Sequence, residues 1–170
     1  MKVSVIVSDK TVVIDGEGYT NMETQPCWSS VPSNIHAYQY NSENSSQSEI
    51  EYNDGTPHSP CTLSDIQQFI DAHTAQKQDI LDQEDAWINS WERVKADRDQ
   101  YLRDSDWTQV EDSPLTAEKI TEYATYRQLL RDLPATYSAE QPKNITFYEG
   151  DVMLTASDGS KSIIIAKPVV

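Results

Sequence analysis

The residues best suited to bind a metal ion in this chain are two cysteines and three histidines, which are scattered along the sequence. His58 and Cys61 lie three positions apart, a spacing that would supply half of a zinc site, with Cys27 as a third ligand. Cys27 is remote from the pair and no fourth ligand accompanies them. The pattern therefore favours loop residues and free thiols over a metal site.

Carboxylates at Asp104 and Asp106 resemble the first two ligands of a calcium-binding loop. Such a loop also needs a glycine at its sixth position and a closing bidentate acid, and the sequence has neither. Short polar side chains compete for backbone hydrogen bonds and favour helix ends. We therefore predict that Asp104, Ser105 and Asp106 end a helix and cap it.

Recognised catalytic and cofactor-binding patterns are missing from the sequence. There is no Gly-x-Ser-x-Gly turn, no Cys/His nucleophile pair and no glycine-rich phosphate loop, for which five glycines leave little material. The sequence thus predicts a protein that is not an enzyme and binds no cofactor or metal. Paired carboxylates need no motif, so a small hydrolase or lyase remains the enzymatic alternative.

The net charge of −15, from 28 acidic and 13 basic residues, limits the partners of the chain. Nucleic-acid binding needs a basic surface that displaces counterions from phosphates, so DNA and RNA are not expected as direct partners. The same repulsion disfavours an anionic membrane, and no apolar run approaches the roughly 20 residues that span a bilayer. The N-terminal segment predicts a strand rather than a signal peptide, and two cysteines without a disulfide framework suit a reducing compartment.

Acidic side chains are concentrated between residues 79 and 112, where eleven acids stand against four bases. Such a run is either a solvated helix face or a surface that recognises a basic or amide-rich partner chain, and the sequence leaves both interpretations open. Trp87 and Trp91 lie in the same stretch, one helical turn apart. They are either core residues or contact residues.

Residues 1–60 predict a region of short β-strands. Two apolar runs, VSVIV and TVVI, flank Ser8-Asp9-Lys10 as a hairpin turn, and Asp15-Gly16 closes the second run. The runs NIHAYQY and EIEY predict two further strands, separated by a polar loop.

Residues 61–134 predict a helical region, with a short first helix and a longer helix over residues 79–104. The apolar residues of the longer helix share one broad face: Ile80, Trp87, Ile88, Trp91, Val94, Tyr101 and Leu102. Arg98 lies in the middle of this face, where we expect it to pair with a carboxylate, such as Glu84 or one on the neighbouring helix, or to stack on an indole. Arg98 is therefore predicted to stabilise the fold more than Arg93, which lies off the face.

A further helix is expected to begin after Ser113-Pro114 and to end at Pro134, again with its apolar residues on one face. Two helices joined by a short link predict an antiparallel helix hairpin. Trp107 falls at the corner between them, where we expect it to plug the end of the pair.

Residues 135–170 return to β structure, in the short apolar runs ITFY, VML and SIIIA, with a tight turn at Asp158-Gly159. These strands need apolar cover, for which the N-terminal sheet is the expected partner, unless SIIIA leaves an open edge that binds another chain. Strands at both ends of a central helical region, without βα alternation, predict the α+β fold class.

Two motifs lie at the predicted corner and along the last helix: SDWTQ at residues 105–109 and YRQLLRDLP at residues 126–134. With these motifs, residues 98–134 resemble the C-terminal module of bacteriophage tail-fibre assembly proteins and tail assembly chaperones. Two features depart from the family pattern. Val110-Glu111 replaces the usual Leu-Pro after Thr-Gln, and the chain continues past the second motif with a β hairpin.

The resemblance implies a non-enzymatic bacteriophage tail protein that acts in tail or tail-fibre assembly, in the host cytoplasm, by binding another tail protein. The alternative is a stoichiometric structural component of the virion tail, such as a fibre or baseplate adaptor. Self-association of the chain is a further alternative. The candidate partner-binding residues are the aromatic and arginine side chains of the helical region: Trp87, Trp91, Arg98, Tyr101, Trp107, Tyr126 and Arg127.

Overall fold

The computed structural model describes residues 1–169, and within that range it contains two antiparallel sheets and three α-helices. This confirms the predicted α+β class, with strands at both ends and helices between them. The chain divides into two compact units, Met1–Asp82 (unit 1) and Gln83–Val170 (unit 2). The three regions predicted from the sequence follow changes of secondary structure, whereas the packing divides the chain once, within the first helix. Among the described residues, no helix combines the length and the apolar composition needed to cross a bilayer.

Six strands form the sheet of unit 1: β1 (Lys2–Ile6), β2 (Thr11–Ile14), β3 (Glu17–Tyr19), β4 (Ile35–Asn41), β5 (Glu49–Tyr52) and β6 (Ser59–Pro60). They pair antiparallel in the order β3-β2-β1-β4-β5-β6, and the predicted β1–β2 hairpin is confirmed. Strands β3 and β6 are absent from the sequence-based prediction. Asp15 and Gly16 adopt φ angles of 49° and 92°, so this Asp-Gly turn leads the chain directly from β2 into β3.

Apolar side chains of this sheet pack against the N-terminal part of helix α1 (Leu63–Ile88). Phe69 is fully buried, and its ring centroid lies 5.1 Å from those of both Trp28 and Tyr38. Alternate residues of a strand point to the same face, so Val3 and Val5 of β1 both reach this core. The core of unit 1 is therefore built from apolar and aromatic contacts.

The single helix predicted over residues 79–104 is wrong, because α1 stops and a second helix, α2 (Trp91–Asp104), begins after a short break. Ser90 is the N-cap of α2, and its hydroxyl accepts a hydrogen bond from the amide of Arg93 at 3.2 Å. A serine that satisfies a free amide at a helix start is worth about 1 kcal/mol. The two tryptophans of this stretch therefore lie on different helices.

Helix α3 (Ala117–Thr136) forms the second arm of the predicted helix hairpin and packs against α2. The hydroxyl of Thr116 caps its start and accepts a hydrogen bond from the amide of Lys119 at 3.3 Å. The predicted end at Pro134 is wrong, since the helix continues to Thr136. A proline in the last turn removes one helical amide but leaves the preceding turns in place.

Unit 2 also contains three strands, β7 (Ile145–Tyr148), β8 (Asp151–Thr155) and β9 (Lys161–Ile165), paired antiparallel in the order β7-β8-β9. The predicted turn at Asp158-Gly159 joins β8 to β9. Side chains of all three strands pack with residues of α2 and α3 in one cluster: Ile145, Val152 and Ile165 with Val94, Leu130 and Leu133. The expectation that the N-terminal sheet covers these strands is wrong, because the helix hairpin supplies the apolar face that they need.

Candidate partner-binding site

The buried side chain of Arg127 connects the two helices at the corner of the hairpin. Arg127 is 7% exposed, and it donates hydrogen bonds to the carbonyl of Leu102 and, at 2.7 Å, to Ser105 Oγ. It also donates to the carboxylate of Asp106, with which it forms an ion pair. The last carbonyls of a helix lack intrahelical donors, and the helix dipole favours a cation beside them. Arg127 therefore ties the end of α2 to α3.

Other polar side chains of the SDWTQ motif are committed to hydrogen bonds within the same corner. Ser105 Oγ donates to a carbonyl one turn earlier in α2 at 2.7 Å, and the buried hydroxyl of Thr108 donates to the Ser105 carbonyl at 2.7 Å. The side-chain amide of Gln109 donates to the carbonyl of Ile120 at 3.2 Å. We refer to these bonds and those of Arg127 as the polar lock.

The capping role predicted for Asp104 and Asp106 is wrong. The Asp106 carboxylate binds Arg127, and the Asp104 carboxylate accepts a hydrogen bond from Gln100 at 2.7 Å. Of these three residues only Ser105 caps α2, because its amide and its hydroxyl both donate to the last carbonyls of the helix.

Trp107 lies at the corner of the hairpin but does not plug it, contrary to the prediction. Its side chain is 43% exposed, and its ring lies 6.3 Å from that of Tyr123, centroid to centroid. Thr108, the next residue, is fully buried at the corner instead. The indole therefore presents apolar area to the outside, where a partner could cover it favourably.

An open cleft of about 400 Å³ lies beside Trp107 in unit 2, and we call it the aromatic cleft. Its aromatic lining consists of Tyr101, Trp107, Tyr123 and Tyr126. Its charged lining consists of Asp104, Glu149, Asp151 and Lys167, and the remaining lining residues are Ser105, Pro168 and Val169. The cleft thus combines the end of α2, the face of α3, the turn between β7 and β8, and the segment that follows β9.

Hydrogen bonds hold two of the cleft tyrosines in place. The hydroxyl of Tyr126 donates to the carbonyl of Gly150 at 2.6 Å, and that of Tyr123 donates to the carbonyl of Pro168 at 3.0 Å. Burial raises the pKa of Tyr126, and the Asp151 carboxylate raises it further. The phenol therefore stays neutral and keeps its role as a donor.

Three carboxylates and one ammonium group line the cleft. Within residues 1–169, none of Asp104, Glu149 and Asp151 forms an ion pair with a basic side chain. Asp151 accepts a hydrogen bond from the backbone amide of Lys167 at 2.7 Å, which is a bond to a neutral group. The lining therefore carries a net negative charge that attracts cations.

The helix hairpin with its polar corner is the part of the chain that is similar to known proteins. Residues 91–146 match the family model described as phage tail assembly chaperone protein. The match begins at the first residue of α2 and ends inside β7. It covers a third of the chain and confirms the resemblance inferred from the two motifs. No curated protein and no solved structure matches the chain.

The match supports a role in phage tail assembly. Four of the residues predicted to bind a partner lie at or beside one cleft of the matched segment. Tyr101, Trp107 and Tyr126 meet in the aromatic cleft. Arg127 lies behind the cleft wall, where it bonds to Ser105. Of these residues Trp107 is the most accessible, while the side chains of Tyr126 and Arg127 are buried.

The other residues predicted to bind a partner lie outside the cleft. Trp87 is 53% exposed near the end of α1, and Trp91 is half-buried beside the core of unit 2. Arg98 pairs with its sequence neighbour Asp99 at 2.7 Å. Arg98 thus pairs with a carboxylate, as expected, although its partner is Asp99 of the same helix rather than Glu84 or an acid of the neighbouring helix.

Sequence reasoning missed the structural role of Arg93 in the matched segment. Its guanidinium donates to the carbonyls of Pro142 and Ile145 at 2.6 and 2.8 Å, and it pairs with Asp97 at 2.9 Å. The bonds to Pro142 and Ile145 connect α2 to the start of β7. A helical wheel cannot reveal them, because their acceptors are backbone carbonyls distant in sequence.

Within the part of the chain that the structure describes, no group of three or more His, Cys, Asp or Glu side chains is arranged to hold a metal ion. His58 lies 2.9 Å from the carboxylate of Glu49, and Cys27 and Cys61 are buried free thiols. Burial raises the pKa of Cys61 to about 11, so this thiol is protonated at neutral pH.

Proposed function

We propose that the protein is a non-enzymatic phage tail assembly factor that binds a tail or tail-fibre protein through the aromatic cleft in the host cytoplasm. The exposure of Trp107 carries this proposal. Ser105 and Thr108, on either side of the corner, are buried and bonded within the fold, so the polar lock does not depend on the indole. An exposed tryptophan beside a cleft is typical of a residue that dominates the energy of an interface.

The family match and the use of the polar groups favour a binding protein over an enzyme. The matched family is named for a chaperone, which recognises another chain without changing its covalent structure. Ser105 lines the cleft, but its hydroxyl donates to two carbonyls of α2 and serves as a helix cap. The buried Tyr126 hydroxyl is likewise engaged as a donor to Gly150.

The proposal predicts a complex between this chain and a tail protein in the lysate of infected cells. Tagged wild type, Trp107→Ala and Trp87→Ala would be purified from infected cells, and the bound proteins identified by mass spectrometry. Trp87 is the matched control, because it is 53% exposed and lies outside the cleft. We expect Trp107→Ala to reduce the recovered tail protein at least about tenfold, as for other interface tryptophans. Loss on Trp87→Ala alone would move the binding site to α1, and retention by both variants would reject the cleft.

A structural place in the virion tail is the second proposal, and the edge of the C-terminal sheet favours it. Strand β9 ends the sheet order of unit 2, and Ile163 on this strand is 55% exposed. An edge strand offers unpaired backbone groups to which another chain can add a strand. Mass spectrometry of purified virions separates the two proposals. A fixed ratio of this chain to a tail protein in the particle would overturn the assembly-factor proposal, and its presence in lysate complexes alone would support it.

A further inference from the structure

We infer that the aromatic cleft receives a cationic side chain, lysine or arginine, from a basic segment of the protein that it binds. The inference deepens the proposed function and rests on it for the identity of the partner. The chemistry of the lining carries it. Two observations on that lining, its aromatic walls and its three carboxylates without an ion pair, point to the same occupant.

The aromatic walls suit a cation because ring faces carry partial negative charge. Trp107, whose indole is the best partner for a cation among the aromatic side chains, is exposed at the cleft. Tyr101 and Tyr123 lie beside it in the same lining, and ring contacts hold both: Tyr101 stacks on Phe147 at 5.4 Å, and Tyr123 meets Tyr126 edge to face at 6.3 Å, centroid to centroid. Rings that are already fixed lose little conformational entropy when a ligand binds.

The charges of the lining select a cation over a neutral apolar side chain. Asp104, Glu149 and Asp151 form no ion pair with any side chain of residues 1–169, so a bound ammonium or guanidinium group would gain their attraction. The whole chain carries a net charge of −15, which accelerates encounter with a basic partner. An acidic partner would be repelled by the cleft carboxylates at contact and by the net charge of the chain at longer distance.

The cleft also holds a cation of its own, on the segment that follows β9. The amide of Lys167 donates to Asp151, and the next carbonyl, of Pro168, accepts from Tyr123. The Lys167 side chain passes over Gly150, where an added Cβ would lie 2.2 Å from Lys167 Cδ, so the glycine makes room for the stem. Lys167 thus belongs to the same lining as the carboxylates, and its charge opposes the binding of a second cation.

The test measures the binding of a short acetylated and amidated Gly-Arg-Gly peptide to the full chain. Its occupancy is followed by NMR through the indole N–H signal of Trp107, assigned with Trp107→Phe. The control peptide replaces arginine by citrulline, which keeps the shape and removes the charge. We expect the arginine peptide to shift the Trp107 signal saturably, and the citrulline peptide to bind at least about fivefold more weakly. Equal binding of the two peptides, or no shift of the Trp107 signal by either, would overturn the inference.

Three variants sharpen the result with opposite expected signs. Glu149→Gln removes one cleft carboxylate and should weaken peptide binding about threefold, whereas Lys167→Ala removes the resident cation and should strengthen it by a similar factor. Glu111→Gln changes the net charge equally at an exposed position outside the cleft and should leave binding unchanged. A weakening by Glu111→Gln as large as that by Glu149→Gln would show a general charge effect and overturn the inference.

These outcomes are independent of the lysate experiment. If the arginine peptide binds as expected but no tail protein is lost on Trp107→Ala, the proposed function fails and the cationic subsite stands. If the tail protein is lost on Trp107→Ala while Glu149→Gln and Lys167→Ala leave its recovery unchanged, the function stands and the cationic subsite fails.

Discussion

The core of unit 1 and the corner of unit 2 are stabilised by different forces. In unit 1, Phe69 is surrounded by apolar and aromatic side chains that make no directional demands on one another. In unit 2, the side chains of Arg127 and Ser105 donate hydrogen bonds to acceptors at specific positions, including carbonyls of α2. An apolar core tolerates substitutions that preserve volume. In a buried polar network, a substitution that leaves a group without its hydrogen-bond partner costs the full desolvation free energy of that group. Conservative substitutions should therefore lower the free energy of unfolding less in the core of unit 1 than at the corner of unit 2.

The largest effect is expected in the core of unit 1. Phe69→Ala leaves a cavity at a fully buried position and should lower the free energy of unfolding by about 4 kcal/mol. Phe69→Leu keeps most of the apolar contact and should cost less than about 2 kcal/mol. Urea unfolding, with hydrogen exchange of the unit 1 amides, measures both variants. A cost near zero for Phe69→Ala would show that this ring is not central to the core.

A smaller but less forgiving effect is expected in the corner of unit 2. Arg127→Lys keeps the charge but cannot serve the Leu102 carbonyl, Ser105 and Asp106 together, and should cost about 3 kcal/mol. Arg131→Lys, at an exposed position of the same helix, should cost less than about 0.5 kcal/mol. Hydrogen exchange of the α2 and α3 amides reports the difference. Equal exchange rates in the two variants would contradict the polar lock.

A third comparison reverses an expectation from the sequence. Arg93→Ala removes bonds to Pro142, Ile145 and Asp97 and should cost about 2 kcal/mol. Arg98→Ala breaks a pair with the neighbouring Asp99 and should cost less than about 1 kcal/mol. The ratio is read from denaturation midpoints measured under one condition. A larger cost for Arg98→Ala would restore the buried-arginine interpretation.

These contrasts also explain how far the sequence could predict the structure. Patterns with a local cause were readable: the β1–β2 hairpin, the start of α3 and the Asp158-Gly159 turn each depend on residues close in sequence. The break before α2 was missed, because one serine cap outweighs an apolar face that continues through it. The bonds of Arg93 to Pro142 and of Arg127 to Leu102 were missed, because their acceptors are backbone carbonyls that only the fold brings near.

The placement of the site shows the same limit. The motifs located the corner and its tryptophan, but the cleft also requires Glu149, Asp151 and Lys167, which lie in and after a sheet whose packing was predicted wrongly. The sequence marked acids and aromatic residues in one stretch without showing which of them share a cavity.

The contribution of the apolar core of unit 1 to the free energy of unfolding should depend on pH. Burial raises the pKa of Cys61 from 9.0 to about 11, so the folded state favours the neutral thiol. The resulting stability is fully present below about pH 9 and is lost as the pH rises toward 11, by about 1 kcal/mol at pH 10. Urea unfolding of wild type and Cys61→Ala, followed from pH 7 to 10, measures the effect. The difference between their free energies of unfolding should decrease by this amount. Parallel curves would contradict the shift.

The smallest effect on stability is expected for the largest side chain at the corner. Trp107 is 43% exposed and makes one ring contact, with Tyr123, so Trp107→Ala should cost at most about 1 kcal/mol, far below the 3 to 5 kcal/mol of a buried tryptophan. Thr108→Val, a change of almost equal volume, removes the donor to the Ser105 carbonyl in a fully buried position and should cost about 2 kcal/mol. We expect Trp107→Ala to lose the tail protein and Thr108→Val, compared below its melting temperature, to retain it. Stability would then depend on the polar lock, and partner binding on the indole. Thermal denaturation and recovery of the tail protein, measured on the same two variants, decide the point. A greater loss of stability for Trp107→Ala than for Thr108→Val would return the indole to the interior and remove the exposed side chain on which the proposed function depends.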